Sequence, residues 1–93
     1  MQSVDIANMF VKECDDSLVL TNLKLNKLVY FAQVESIRSS RRPLFEDRIE
    51  AWEYGPVEPM VYHTFKNYGR SPITRPSSGI IPQDEHAWAI VHH

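Results

Sequence analysis

Ninety-three residues, 43% of them hydrophobic and 24% charged, allow one small domain and are too apolar for a disordered tail. A net charge of −2 argues against a generally basic nucleic-acid binder, and no apolar run approaches the roughly 18–20 residues that span a bilayer. The single Cys14 excludes an internal disulfide and cannot build a zinc site by itself, and no leader peptide is visible, so the chain reads as cytoplasmic.

Ser3 is placed to cap a first helix running to about Asp15 or Asp16. Ile6, Ala7, Phe10, Val11 and Cys14 recur at three- and four-residue intervals, while Asp5, Asn8, Lys12 and Glu13 fall outside that face. Cys14 reads as a small core residue, because its sequence neighbours are acids that would not activate a thiol. After the connection Ser17-Leu18-Val19-Leu20, Thr21 caps a longer helix to about Ser39. Leu25, Leu28, Val29, Ala32 and Ile37 supply its stripe, and Leu23, Tyr30, Phe31 and Val34 widen it until much of the circumference is apolar. That is the composition of a central helix. Ser39-Ser40-Arg41-Arg42-Pro43 breaks it.

From Ile49 to Tyr54 the residues alternate approximately, as in a half-buried strand. Gly55-Pro56 is expected to end that strand, and the stretch from Ala51 to Tyr62 to form a rigid corner into a third helix from about Glu58 to Tyr68. Pro59 sits in the first turn of that helix and Gly69 closes it. Val57, Val61, Phe65 and Tyr68 mark its apolar side. Residues 70–79 read as a loop, Ile80-Ile81 as a short strand able to pair with the Ile49–Tyr54 segment, and Asp84 as the cap of a last helix carrying Ala87, Trp88, Ile90 and Val91. The expected fold class is α+β, mainly α: a small helical domain with a short antiparallel sheet or hairpin.

No arrangement of residues points to catalysis. The serines lie in loops without a nucleophile turn, the three glycines are too scattered to cradle a phosphate, and His63, His86 and His92-His93 lack the spacing of a zinc site. The reading is therefore no enzyme, no metal and no cofactor. Charge is nevertheless segregated. Lys24, Lys27, Arg38, Arg41 and Arg42 face only Glu35 between Thr21 and Leu44, whereas Glu46, Asp47, Glu50, Glu53 and Glu58 face only Arg48 between Phe45 and Met60. Pairing of neighbouring solvated faces is the plain expectation; a dipolar surface that orients a protein partner is the sharper one. Those five cations also define an alternative function, a nucleic-acid-binding regulator. Trp52, Tyr54, Tyr62 and Phe65 are read mainly as core, since a small domain needs its aromatics inside.

The run from Leu23 to Gln33, followed by Pro43-Leu44-Phe45, Glu50-Ala51-Trp52-Glu53-Tyr54-Gly55-Pro56-Val57, Val61-Tyr62 and Tyr68-Gly69, strongly resembles the Panacea-domain proteins, among them SocA-like antitoxins and phage- or prophage-associated proteins. The resemblance covers about Ser3 to Gly69. Its signature positions here are Leu25, Lys27, Leu28, Tyr30, Trp52, Tyr54, Gly55, Pro56, Val57 and Tyr62, and they look mainly architectural. It implies a bacterial or phage protein that binds and neutralises a toxin encoded by an adjacent gene, with delivery of the toxin to a cytoplasmic protease as one route; it implies no catalytic residue. Family members usually continue with further helices. Residues 1–93 are therefore expected to form a single Panacea-like domain lacking those helices, with Trp88, Ile90 and Val91 short of cover and a homo-oligomer as the consequence.

Overall fold

Apolar periodicity near the N-terminus becomes α1 (Ser3–Glu13), in a computed structural model that describes residues 1–14 and 19–92. An extension of this helix to Asp15 or Asp16, the Ser17-Leu18 part of the connection, and His93 lie outside the described residues. Two details of α1 depart from expectation. Gln2, not Ser3, occupies the cap position, its backbone N–H donating to Asp5 Oδ2 at 2.9 Å, while the buried Ser3 donates its own N–H to Asp47 Oδ1 at 2.9 Å. Asn8 is buried too, because its amide closes on the 70–79 loop: Asn8 Nδ2 donates to Ser77 Oγ, and Ser77 N–H donates to Asn8 Oδ1.

The second helix, α2 (Asn22–Ser40), begins as expected on Thr21, whose side chain accepts from Lys24 N–H. It ends at Arg41, which adopts a left-handed conformation at φ 56°. Its buried stripe is Asn22, Leu25, Asn26, Val29, Ala32 and Ser36, so polar residues hold positions that hydrophobicity alone assigns to the apolar members. Leu23, Leu28, Phe31, Val34 and Ile37 are exposed, contrary to expectation. They lie on other flanks of a helix that has more apolar circumference than its neighbours cover.

The strand expectation is corrected in register. Glu50–Trp52 forms β1, and Gly55–Val57, expected as the break after a strand, is itself the second strand, β2; they pair antiparallel as Trp52↔Gly55, Ala51↔Pro56 and Glu50↔Val57. The chain turns through Glu53-Tyr54, and Gly55 at φ 119° absorbs a conformation that side-chain-bearing residues rarely adopt. Pro56 lacks an N–H, which a two-stranded sheet tolerates because both of its strands are edges. Ile80-Ile81 forms no strand, and Ile80 is exposed. The strand-to-helix corner consequently falls two residues later than expected, at Val57-Glu58.

Helix α3 (Pro59–Thr64) is shorter than expected, with Phe65 leading into a 3-10 turn, Lys66–Tyr68, that Gly69 closes at positive φ. Glu58 caps α3: its Oε2 accepts from Val61 N–H at 2.7 Å, and Pro59 occupies the first turn. Asp84 caps α4 (Glu85–His92) as expected, accepting from Ala87 N–H at 2.9 Å. α1 packs against α2, α3 and α4, and the hairpin leans on α2. The core holds Ile6, Met9, Leu25, Val29, Phe45, Val61, Phe65 and Ala87, the last anchoring α4.

Side-chain amides hold the irregular segments to these helices. Gln33 grips the backbone of Leu44-Phe45 from both sides, accepting from Leu44 N–H at 2.7 Å and donating to Phe45 O at 2.8 Å. Asn26 Oδ1 accepts from the buried Glu58 N–H, while Asn26 Nδ2 donates to Asn22 O and Asn22 Oδ1, each at 2.9 Å; Asn22 in turn donates to Tyr62 O. His86 ties α4 to the end of α2. Ser36 Oγ already donates to Arg42 O and Ser40 Oγ to Ser36 O, so His86 Nε2 must carry the proton that reaches Ser36 Oγ at 2.9 Å.

Removing Asn26 leaves the buried Glu58 N–H and the buried Asn22 Oδ1 without their partner. Asn26→Ala is expected to cost about 2–3 kcal/mol in urea unfolding, against about 0.5–1 kcal/mol for Thr21→Ala, whose cap bond is long. Gly55→Ala should cost about 1–3 kcal/mol through backbone strain.

Candidate protein-binding groove

The exposed flank of α2 is a second stripe beside the core stripe. Lys24, Leu28, Phe31 and Glu35 recur at intervals of four, three and four residues and so lie on one side of the helix. Phe10 of α1 and Val91 of α4 stand opposite, and an open, largely apolar groove runs between the three helices. At its wider end it has a volume of about 630 Å³ and is bordered by Cys14, Val19, Leu20 and Lys27; at its other end Val34 and Ile90 continue the apolar wall. Phe31 is 61% exposed, Val34 41% and Leu28 38%, values far from those of the core residues Leu25 and Val29 one helical flank away.

The polar residues at the rim are unequally engaged. Glu35 is gripped by Arg38 through two hydrogen bonds at 2.7 and 2.9 Å, and Glu13 lies 3.3 Å from His92 Nδ1. The hydrogen bond to Glu35, with its negative charge behind it, raises the Arg38 pKa above the ordinary guanidinium value. Lys24 Nζ reaches Val19 O at 3.4 Å, and neither Lys24 nor Lys27 has a carboxylate within ion-pair distance among the described residues. The expected pairing of the basic 21–44 stretch with the acidic 45–60 stretch is absent among those residues. Asp47 and Glu58 instead accept from backbone N–H groups, and Glu50 accepts from Trp52 Nε1.

The five cations do not converge. Lys24 and Lys27 flank the groove, Arg38 is committed to Glu35, and Arg41 and Arg42 follow the far end of α2, some 25 Å from Lys24 by the rise of a helix. Of the signature positions, Leu25 and Val57 are buried. Tyr30, Trp52, Gly55, Pro56 and Tyr62 are half-buried around the hairpin, and Trp52 meets Tyr62 edge-on at 5.1 Å. Lys27, Leu28 and Tyr54 are exposed, and the Lys27 stem passes 3.4 Å from where a side-chain carbon on Gly55 would lie. Phe65 is core, as expected, whereas Tyr54 is not. The α4 residues have more cover than expected: Val91 is buried, and Trp88 donates to Pro82 O at 3.0 Å. Uncovered apolar surface lies on α2 instead.

Phe10 and Val91 were missed as groove residues because each reads as a core position of its own amphipathic helix. The available signal was the excess apolar circumference of α2. Among the described residues no group of three or more His, Cys, Asp or Glu side chains is placed to hold a metal ion, and no helix is long and apolar enough to cross a membrane.

Residues 25–87 match the family model described as "Antitoxin SocA-like, Panacea domain". Among curated proteins, the chain is 40% identical over 72 residues to "Antitoxin SocA" of Caulobacter vibrioides (strain NA1000 / CB15N), a match covering 73% of this chain and 38% of that relative. The chain thus corresponds to well under half of that protein's length. No solved structure matches.

The exposed stripe contributes little to folding. Phe31→Ser is expected to change unfolding free energy by less than about 0.5 kcal/mol, while Leu25→Ala, one flank away, costs about 2–5 kcal/mol. Binding of a hydrophobic reporter dye should fall in the first variant before any loss of helix signal.

Proposed function

Because the chain belongs to the SocA-like antitoxin family defined by the Panacea domain, we propose that it neutralises a protein toxin by direct, non-enzymatic contact inside the bacterial cell. The observation that carries this reading is the open apolar groove between α1, α2 and α4, whose floor residues are exposed where a domain of this size would otherwise bury them. Apolar floors with a charged rim are what protein interfaces use, since burial supplies affinity and the rim supplies orientation. A toxin held there is inactivated when the contact covers or distorts its own active surface.

The gene beside this one is the natural source of the partner. Co-expression with it tests the reading: growth arrested by the neighbour alone is expected to recover when this chain is produced. A neighbour that is harmless, or one that stays lethal at high levels of this chain, refutes it. Toxin abundance by immunoblot separates the routes, because occlusion leaves the toxin intact and delivery to a protease depletes it.

A further inference from the structure

We propose that the free edge of β1 and the pocket beside it take an extended segment of a partner protein, an apolar residue of which sits opposite Ala51 with Lys or Arg next to it. This contact is separate from the groove and does not rest on what fills the groove.

Backbone geometry carries the first step. Residues facing each other in an antiparallel pair alternate between those that exchange hydrogen bonds and those that do not. Pro56 has no N–H to give, so Ala51↔Pro56 is a non-bonded pair, and the ladder bonds belong to Glu50↔Val57 and Trp52↔Gly55. The N–H and C=O of the exposed Ala51 therefore point away from β2, and among the described residues no hydrogen bond meets them there. The other edge is closed to the same use, because Pro56 offers no donor and β2 is the strand that packs against α2. A donor and an acceptor side by side on an open strand fit another extended main chain; a helix uses its main-chain groups internally.

The pocket carries the second. It has a volume of about 480 Å³ and is lined by Tyr30 of α2 together with Ile49, Ala51, Trp52 and Pro56. Side chains directly opposite each other share a face of the sheet, so the residue paired with Ala51 projects on the side of Ala51 and Pro56, and the small Ala51 side chain leaves it room. Its neighbours in the added strand fall on the opposite face, alongside Glu50 and Trp52. Glu50 is exposed and, although Arg48 lies two residues before it, has no cation within ion-pair distance among the described residues, so a Lys or Arg suits that position.

A second copy is a poor occupant. Pairing β1 with itself about a twofold at Ala51 sets methyl against methyl and leaves the pocket empty. Moving the register by one pair sets the two copies of Glu50 opposite each other or enlists Glu53, which lies in the turn.

The test uses the full chain, isotopically labelled, and a synthetic peptide, acetyl-Ser-Thr-Arg-Leu-Arg-Thr-Ser-amide, added to millimolar concentration and followed by NMR. The Ala51 amide is expected to shift and to gain protection from exchange, with the leucine methyl groups close to the Tyr30 ring. Two further peptides carry N-methyl groups on alternate residues, one set including the leucine and the other its arginines. A strand presents alternate amides to each side, so one of these peptides should bind at least about tenfold more weakly than the other. Ala51→Pro removes the outward N–H without touching a ladder bond and should weaken the unmethylated peptide about fivefold; where it disturbs the hairpin, the methylated pair still decides. An Ala51 amide that does not move, shifts confined to groove residues such as Phe31 and Val91, equal binding by the two methylated peptides, or an Ala51 shift that depends on the concentration of the chain alone would each overturn the proposal. Growth rescue, which tests the antitoxin reading, is independent of all four outcomes.

Discussion

The amide of Asn26 is the contact on which the arrangement of this small domain depends. Three pieces of chain converge on it: the first turns of α2, the end of β2 and the start of α3. Glu58 brings a backbone N–H into the interior at that junction, and only an acceptor placed there spares the cost of burying it unpaired. Asn26 supplies the acceptor while its NH₂ group is held by Asn22, so the amide has a single orientation. The Glu58 carboxylate then reaches Val61 N–H and starts α3, and Asn22 secures Tyr62 O further along. Each bond positions the next donor, which makes the network specific as well as stabilising. Trp52 of β1 then meets Tyr62 of α3 edge-on.

Such a network explains which parts of the fold were legible. Caps were, because Thr21 and Asp84 act on N–H groups three residues away and carry their signal locally. The period of α1 and the strand within Ile49–Tyr54 were legible for the same reason, but the strand's partner was not, since Gly55–Val57 and not Ile80-Ile81 pairs with it. Asn8, Asn22 and Asn26 were not, because an asparagine within an apolar period is indistinguishable from a surface residue until its partner is known. The partners are remote: Ser77 lies 69 residues from Asn8, and Glu58 lies 32 from Asn26. Gly55-Pro56 misled for a different reason. A glycine before a proline signals a break, yet here the positive φ falls just after the turn, so Glu53 and Tyr54 carry the reversal and glycine opens the returning strand. The groove was legible only as an anomaly, an α2 more apolar than one buried face can use.

That anomaly divides α2 into three working surfaces. One face makes the core with α1. A second carries Tyr30 and the Lys27 stem toward the hairpin, where the missing side chain of Gly55 gives the stem room. The third forms the groove floor. Because residues three and four apart share a flank while residues one and two apart do not, Leu28 and Val29 serve different ends although they are adjacent in sequence, the first on the groove and the second in the core. A change at Phe31 or Val34 therefore alters what the groove accepts without passing through the core.

This separation also bears on how a small domain tolerates an exposed apolar floor. Such a surface favours self-association through burial, which is proportional to apolar area and indifferent to partner identity. Selectivity must come from elsewhere, and the lysines at the rim are suited to supply it. A charged rim raises the cost of covering that floor, because each charge must be paired or kept in water when it is covered. Lys24 bears a cost for this in its own helix, since the dipole at the start of α2 disfavours a cation by about 0.3–1 kcal/mol. At that size the cost is one that a solvated lysine bears in the first turn of a helix whose stability comes from its buried face.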